Sequence, residues 1–412
     1  MTEIFLGRQP ILDAASKLFG YELLFRAGPD DSAVFDDENE ASGSVVINAL
    51  FEIGLENVVG SSRALVRMTP RFMQDQLYRP LPPGHTILLM PSGIQADAAS
   101  LASIRRATRQ GYQIGLAIAG GEPVAPALLD LARFVKVDSL DRGLEQMLSS
   151  FAELSDRRRI IIADRVETRE TFNQLFRIGY RYFKGHFFCK PDVLRHHTVP
   201  ACRATLMELL ARIRDPNMPL SQIQKPIERN VSISYRLLRY VNSALYSFPY
   251  RITSIRHAIA LLGLERVRDC LTLSLLAKLG DKPHELSITA LVRARTCQLL
   301  ARSIGNQHEH VFFSAGLLSV LDCFLDKPMV QVVEMLHLAP ELKQALLRHE
   351  GPAGHALQAA IDCETATLDS RTLRIFGAAA LRTSYVRAIK WVSELDQAMT
   401  GAQDEEPEPS VR

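Results

Sequence analysis

Charged side chains lie at the ends of short apolar runs in the N-terminal half of the chain. They are Glu22 in GYELLFR, Lys136 and Asp138 in FVKVDSL, Asp164 in IIIADRVE and Lys184 in RYFKG. Carboxylates gathered at strand ends can hold divalent cations, whereas arginine and lysine suit phosphate groups or ion pairs. The residue types therefore allow either a metal-dependent reaction or a site that binds an anion.

The run GYQIGLAIAGGEP, residues 111–123, differs from the others. It has Ala117 and Ile118 where barrel enzymes commonly carry catalytic acids, and Gly120 and Gly121 follow. It is either a phosphate-binding loop or a catalytic strand without its acids. The run lacks both GxGxxG and GxxxxGK, the patterns that mark phosphate loops. We therefore favour the second interpretation.

Short β-rich runs alternate with helical stretches up to about residue 191, which predicts a parallel sheet. The eight predicted strands are Ile4–Gly7, Tyr21–Arg26, Ala64–Met68, Thr86–Met90, Gln113–Ile118, Phe134–Val137, Arg159–Ala163 and Tyr182–Phe183. Eight strands favour a closed barrel, whose functional residues gather at the carboxyl ends of the strands. About 190 residues is small for that fold, so some of its helices must be short or missing.

The second half of the chain, from Ala201 to about Ala398, shows helical periodicity and almost no strand signal. The pattern predicts an all-α domain, with single helices over 311–325 and 370–392 among its elements. The end, GAQDEEPEPSVR, is acidic and contains proline, which predicts disorder. The predicted division is therefore 1–195, 196–400 and 401–412.

Composition excludes several classes of protein. The chain has 412 residues, a net charge of +2 and six scattered cysteines with no CxxC pair. Neither half has the basic excess typical of nucleic-acid-binding domains. No apolar run reaches the roughly 18 residues that span a bilayer, and the N-terminus is unlike a secretory signal. We expect a cytoplasmic protein that binds neither nucleic acid nor membrane.

The first half resembles the EAL domains, the cyclic di-GMP phosphodiesterase family. The stretch FLGRQPILDAASKLFGYELLFR at 5–26 resembles the opening of the compact form of these domains. GYQIGLAI, FVKVDSL, ADRVET and GYRYFKGHFFCKP resemble later motifs of the family, in the right order. The resemblance covers about residues 4–191 and implies a compact (β/α) barrel of the TIM type.

The second half resembles an HDOD domain. LLRYVNSALYSFPYRITSIRHAIALLG at 237–263 and FFSAGLLS at 312–319 carry the family's patterns. This resemblance covers about residues 200–395 and implies an all-helical domain similar to the HD phosphohydrolase superfamily. An EAL domain followed by an HDOD domain is an architecture of bacterial signalling proteins.

The EAL resemblance also implies a site with two divalent ions held by oxygen ligands. Glu22, Lys136 and Asp138 are retained from the family's motifs. Other positions depart from these motifs. The family's paired aspartates fall on Ala117 and Ile118, and a ligand Asn falls on Arg67. One ligand Glu falls near Leu89 and Met90, a later Glu falls on Asp164, and the closing Gln falls on Lys184. The resemblance therefore implies a degenerate catalytic site.

Two interpretations of the remaining charges stay open. The retained residues can form structural ion pairs inside the barrel mouth, Lys136–Glu22 for example. Alternatively, Arg67 and Lys184 turn a cation site into one that binds the phosphate of cyclic di-GMP or another nucleotide.

The helical half offers an interaction surface more readily than a reaction. The positions that match the metal-binding His-Asp pair of the HD superfamily are Ser319 and Val320, and one nearby carboxylate, Asp322, does not make a metal site. Polar and aromatic residues cluster instead beside Pro249, where they form either a helix corner with an aromatic lid or a partner-binding surface. These residues are Asn242, Ser243, Tyr246, Phe248 and Tyr250.

We therefore predict a non-catalytic signalling scaffold without cofactor or metal. It would act by contact with other signalling proteins in cyclic di-GMP-related regulation of motility, biofilm or stress responses. Self-association is a further hypothesis, and cyclic di-GMP is not expected to bind. The alternatives are a cyclic di-GMP sensor that binds without hydrolysis and, more weakly, a residual phosphodiesterase.

Overall fold

The computed structural model describes residues 5–26, 54–189 and 263–400, together with the isolated positions 259 and 261. Within these ranges it leaves out 92, 119–123, 141, 156–158, 277–281, 337 and 368. The chain divides into two compact units. The barrel unit comprises Met1–Asp192 and Gln358–Val386, and the helical unit comprises Val193–Leu357 and Arg387–Arg412. The predicted domain boundaries at 195 and 400 remain a prediction. That prediction assigned residues 358–386 to the helical domain, whereas they pack in the barrel unit.

A closed eight-stranded barrel forms the sheet of the first unit, which confirms the predicted fold class. Its strands are β1 (Phe5–Asp13), β2 (Leu18–Arg26), β3 (Arg63–Arg67), β4 (Thr86–Pro91), β5 (Gln113–Ile118), β6 (Phe134–Asp138), β7 (Ile160–Asp164) and β8 (Tyr182–Lys184). β2 to β8 run parallel to one another, and β1 runs antiparallel to both of its neighbours. The reason is the short turn between β1 and β2, since parallel strands need a crossover of a dozen or more residues.

The strands bury apolar side chains on both faces, as expected of a parallel sheet covered by helices. One layer fills the inside of the barrel and comprises Ile11, Leu65, Ile87, Phe134 and Ile162. Alternate residues of these strands, Val66 and Leu88 among them, belong to the larger outer core, as does Leu116 of β5. Because side chains alternate along a strand, the next inward positions after Phe134 and Ile162 are Lys136 and Asp164. Charged residues therefore follow the apolar layer toward the carboxyl ends of the strands.

The helices of the barrel unit are short. They are α1 (Leu55–Val59), α2 (Pro70–Gln74), α3 (Ala98–Arg109), α4 (Pro126–Leu129), α5 (Leu144–Leu154) and α6 (Arg169–Ile178), with 3-10 turns at Pro83–His85 and His186–Cys189. Side-chain caps define the starts of several. Asp97 accepts a bond from the backbone of Ser100 at 2.7 Å, and Thr168 accepts one from Thr171 at 3.1 Å. These caps satisfy backbone donors that a helix leaves free.

The described residues from 263 onward form helices and contain no strand. The helices are α7 (Leu264–Leu276), α8 (His284–Ser303), α9 (Glu309–Leu318), α10 (Leu321–Leu325), α11 (Met329–Met335), α12 (Pro340–Arg348), α13 (Gly351–Thr365), α14 (Ser370–Phe376) and α15 (Ala378–Thr400). Within these described helices, none is both long and apolar enough to cross a membrane.

Two helices predicted as single elements are broken. The predicted helix 311–325 is divided between α9 and α10, where the Ser319 hydroxyl donates to the Gly316 carbonyl at 2.7 Å. The predicted helix 370–392 is divided between α14 and α15 by Gly377, which has φ +75°. Both breaks follow known chemistry, since serine competes for backbone groups and glycine accepts a left-handed conformation.

Some predictions fall outside the described residues. They include the glycine pair 120–121, the tail 401–412 and the whole proposed HDOD surface, namely Asn242, Ser243, Tyr246, Phe248 and Tyr250.

Candidate functional site

The charged residues of the motif strands meet at one end of the barrel. Lys136 on β6 and Asp164 on β7 point inward, and Asp138 pairs in register with Asp164. Lys184 ends β8, opposite Ile11 of β1. Glu22 lies on β2, whose direction matches β3 to β8. The strand directions thus bring residues far apart in sequence to the carboxyl ends of the barrel strands.

Four of these residues form a closed network of alternating charge, which we call the four-charge network: Glu22, Lys136, Asp164 and Lys184. The Lys136 ammonium nitrogen lies 2.8 Å from Glu22 Oε1 and 2.7 Å from Asp164 Oδ2. The Lys184 nitrogen lies 2.5 Å from Glu22 Oε2 and 3.1 Å from Asp164 Oδ1. The four residues are 2–8% exposed. The predicted ion pair Lys136–Glu22 is confirmed, and Lys184 joins it.

The network keeps Glu22, Asp164 and Lys184 ionised in spite of their burial. Burial alone would raise the pKa of Glu22, but the ammonium groups of Lys136 and Lys184 hold that pKa below its ordinary value. Asp164 is also buried, and Lys184 and Lys136 depress its pKa well below the usual range. Burial would lower the pKa of Lys184, but the carboxylates of Asp164 and Glu22 raise it. Charge pairing therefore outweighs desolvation at these three groups.

A separate ion pair, Arg165–Asp138, lies at the rim next to the four-charge network. Arg165, which has φ +54°, forms a salt bridge with Asp138 through its guanidinium group. Its Nε donates to Asp138 Oδ1 at 2.8 Å, and its backbone N–H donates to Asp164 Oδ1 at 2.9 Å. Arg165 thus connects the rim to the network, a role that its sequence position did not signal.

These residues do not fit a site for two divalent cations. Such a site needs several clustered oxygen ligands, and the described residues hold no group of three or more His, Cys, Asp or Glu able to bind a metal. The inward position on β5 is Ala117, which has no donor atom. Ile118 is two residues beyond Leu116, which belongs to the outer core, so it lies on the same outer side of the sheet. The ammonium groups of Lys136 and Lys184 also contact the carboxylates of Glu22 and Asp164, where a cation would have to bind.

Arg67 is the inward residue at the end of β3, at the level of Leu89. It is partly buried, and its Nε atom is buried without a hydrogen-bond partner. Of the two residues predicted to bind phosphate, Lys184 is held by carboxylates, whereas Arg67 keeps a donor that an anion could use.

Ser319 and Val320, the positions that the resemblance matched to a metal-binding His-Asp pair, belong to the helical unit. Ser319 and Val320 lie between α9 and α10, and Val320 is buried. Burial raises the pKa of Asp322, whose Oδ1 accepts bonds from the backbone and thiol of Cys323 at 2.9 Å and 3.2 Å. Arg293 lies near and donates to the Ser319 hydroxyl. The carboxylate thus serves local structure.

Comparison with known proteins identifies the second half directly. Residues 199–349 match the family model of the HDOD domain, so the chain contains an HDOD domain.

Two curated relatives match across both halves. One, the "Cyclic di-GMP phosphodiesterase CdgJ" of Vibrio cholerae, is 29% identical over 364 residues, which is 87% of this chain and 84% of the relative. The other, the "Uncharacterized protein YuxH" of Bacillus subtilis, is 27% identical over 356 residues, 84% of this chain and 87% of the relative. A solved EAL protein from Vibrio cholerae O395, in its c-di-GMP-bound form, is 21% identical with a TM-score of 0.38; the match covers 46% of this chain and 92% of that protein.

The match to CdgJ bears on two sequence-based predictions. The prediction that the chain is not an enzyme is contradicted, because a relative that matches most of its length is named a phosphodiesterase. The same finding counts against the expectation that cyclic di-GMP does not bind.

Proposed function

We propose that this chain is a regulatory protein of cyclic di-GMP signalling, in which the barrel mouth binds the dinucleotide and the HDOD domain contacts other signalling proteins. The observation that carries the proposal is the barrel mouth itself. Its carboxylates are neutralised by two lysines, while Arg67, the inward residue at the end of β3, has a buried donor. A mouth with neutralised acids and a further cation attracts a phosphodiester more readily than a pair of metal ions. The relationship to CdgJ over both halves of the chain supports the choice of dinucleotide.

Calorimetric titration with cyclic di-GMP, with and without Mg²⁺, tests this proposal. We expect metal-independent binding, with affinity on the order of micromolar. Arg67→Glu should weaken binding by about tenfold or more, because the substitution places a carboxylate where the phosphate would lie. Arg63→Glu is the matched control, since Arg63 begins the same strand at the opposite end and packs over the Phe19 ring. Unchanged binding by Arg67→Glu would contradict the proposal.

Hydrolysis of cyclic di-GMP is a second candidate function. It is supported by the name of the relative CdgJ and by the presence of Glu22 and Asp164 at the strand ends. The test is chromatographic detection of the hydrolysed dinucleotide with the purified chain and with Glu22→Gln. Turnover that disappears in Glu22→Gln would support this candidate. Turnover that survives the substitution unchanged would belong to a contaminant.

A further inference from the structure

The C-terminal segment Gln358–Val386 packs in the barrel unit although it follows the HDOD match in sequence. It contains the end of α13, all of α14 and the beginning of α15. We call it the cap segment. Its position on the barrel is fixed by two contacts with β1.

The first contact is at Gly7. β1 is antiparallel to the other strands, so its N-terminal end lies at their carboxyl ends, beside the four-charge network. Gly7 pairs with Leu24, two residues beyond Glu22 along β2, a distance of about 7 Å. Along β1, Gly7 faces the same side as Ile11 of the inner layer. The inner side of Gly7 is thus part of the rim of the mouth.

Backbone of the cap segment fills the space that a side chain at position 7 would occupy. A Cβ atom there would lie 2.9 Å from the Cys363 carbonyl oxygen and 3.0 Å from both the Ala366 nitrogen and the Glu364 oxygen. Real Cβ atoms essentially never come closer than 3.0 Å to such atoms, so the 2.9 Å contact would require the backbone of the cap segment to shift. Glycine at position 7 therefore permits the cap segment to reach the inner rim.

The second contact is Tyr385. Its ring is buried, and its hydroxyl accepts a hydrogen bond from the Arg8 backbone. β8 pairs with β1 only from Ile11 to Asp13, so Arg8 lies three residues beyond the reach of β8. Tyr385 thus binds a part of the rim that the short last strand does not cover.

We propose that the cap segment is an autoinhibitory element, which lies on the rim of the barrel mouth and must move before a dinucleotide reaches the four-charge network. This inference rests on the proposed function for the identity of the ligand. Both ends of the cap segment lie within helices, α13 and α15, that continue into the helical unit.

Gly7→Val tests the inference because the new side chain would displace the cap segment. Gly84→Val is the matched control, since a Cβ at Gly84 would meet nothing within 4 Å. The thiol of Cys363 reports on opening, because it is 5% exposed in the cap segment, and Cys297 of α8 is a buried reference. Peptide-resolved mass spectrometry measures alkylation of each thiol by N-ethylmaleimide, and calorimetry measures cyclic di-GMP affinity.

We expect Gly7→Val to speed alkylation of Cys363 about tenfold without affecting Cys297, and to tighten dinucleotide binding by a similar factor. Unchanged alkylation would mean that the contact at Gly7 does not hold the segment. Faster alkylation with unchanged affinity would mean that the segment does not restrict the mouth. Either result overturns the proposal. If Gly7→Val fails to fold, Tyr385→Phe provides the milder change, because it removes only the hydroxyl bound by Arg8.

Absence of dinucleotide binding in every variant would refute the proposed function and leave the cap to be tested separately. For that case, Ala117→Cys places a thiol on the inward side of β5. Faster alkylation of position 117 when combined with Gly7→Val would support the cap, and an unchanged rate would overturn it.

Discussion

Glu22 and Asp164 remain charged inside the barrel because Lys136 and Lys184 lie within hydrogen-bond distance of both carboxylates. Each of these four groups would be costly to bury alone, and the energetic consequence of losing one partner exceeds that of losing a surface ion pair. The sequence suggested one of the four contacts, Lys136–Glu22. It could not show that Lys184 completes the network, since that depends on the closure of β8 against β1.

Removal of Lys184 tests the energetic importance of the network. Lys184→Met leaves two buried carboxylates with a single cation, and we expect it to lower the free energy of unfolding by about 3–5 kcal/mol. Arg71→Met is the control, because Arg71 and Asp75 form an exposed pair at 3.8 Å worth about 0–1 kcal/mol. Urea denaturation measures both. Equal effects of the two substitutions would show that the network is not structurally important.

The network also predicts how stability depends on pH. The pKa of Asp164 is held well below its usual 3.8 and that of Glu22 below 4.5, so their stabilisation is complete above these values and is lost as the pH falls through the depressed pKa values. The pKa of Lys184 is raised above 10.5, so its stabilisation is present below that value and is lost as the pH rises through the raised pKa.

Urea unfolding measured over a series of pH values checks this dependence. We expect the network's contribution to be constant between about pH 5.5 and 9.5 and to decline on either side. In Asp164→Asn, the free energy of unfolding should fall less steeply with decreasing pH below about pH 4.5, because one carboxyl group with a depressed pKa is gone. An acid slope identical to that of the unsubstituted protein would contradict the low pKa of Asp164.

At the scale of elements, the end of β8 positions Lys184 through a tight turn. The Val166 backbone donates to the Lys184 carbonyl at 2.9 Å, and Phe187 donates to the Val166 carbonyl at 3.1 Å. Gly185 lies between these bonds with φ +146°, where a Cβ would be only 2.1 Å from the Val166 oxygen. The three-residue strand therefore depends on a glycine for its register.

Gly185→Ala is consequently expected to lower the free energy of unfolding by about 2–4 kcal/mol, through strain and displacement of Lys184. Gly84→Ala, at an uncrowded position, should change it by about 0.5 kcal/mol or less. Chemical denaturation of the two variants side by side gives the comparison. Similar small changes at both positions would show that the turn tolerates a side chain.

At the scale of the whole molecule, the order of segments along the chain differs from their order in space. Gln358–Val386 follows the region that matches the HDOD domain but belongs to the barrel unit. Helical periodicity correctly indicated helices there. It contained no information on which unit would bury them, since an apolar helix face fits any complementary surface.

A truncation tests the assignment of this segment to the barrel. A chain ending at residue 357 lacks the contacts to Gly7 and Arg8, so we expect faster hydrogen exchange in β1 and β2 and a urea midpoint lower by about 1 M. A chain ending at residue 400 keeps those contacts and is the control. Equal protection of β1 and β2 in the two chains would contradict the assignment.

The sequence by itself determined the eight strands, the closed barrel, the helical character of the described residues from 263 onward and the charged residues at the strand ends. These follow from local periodicity and from motifs whose members are close in sequence. The tertiary structure decided the rest: the pairing of Lys184 with Glu22 and Asp164, the bridge from Arg165 to Asp138 and the position of the cap segment at the rim. Each depends on contacts between residues far apart in the chain, whose geometry is set by barrel closure and packing rather than by local pattern.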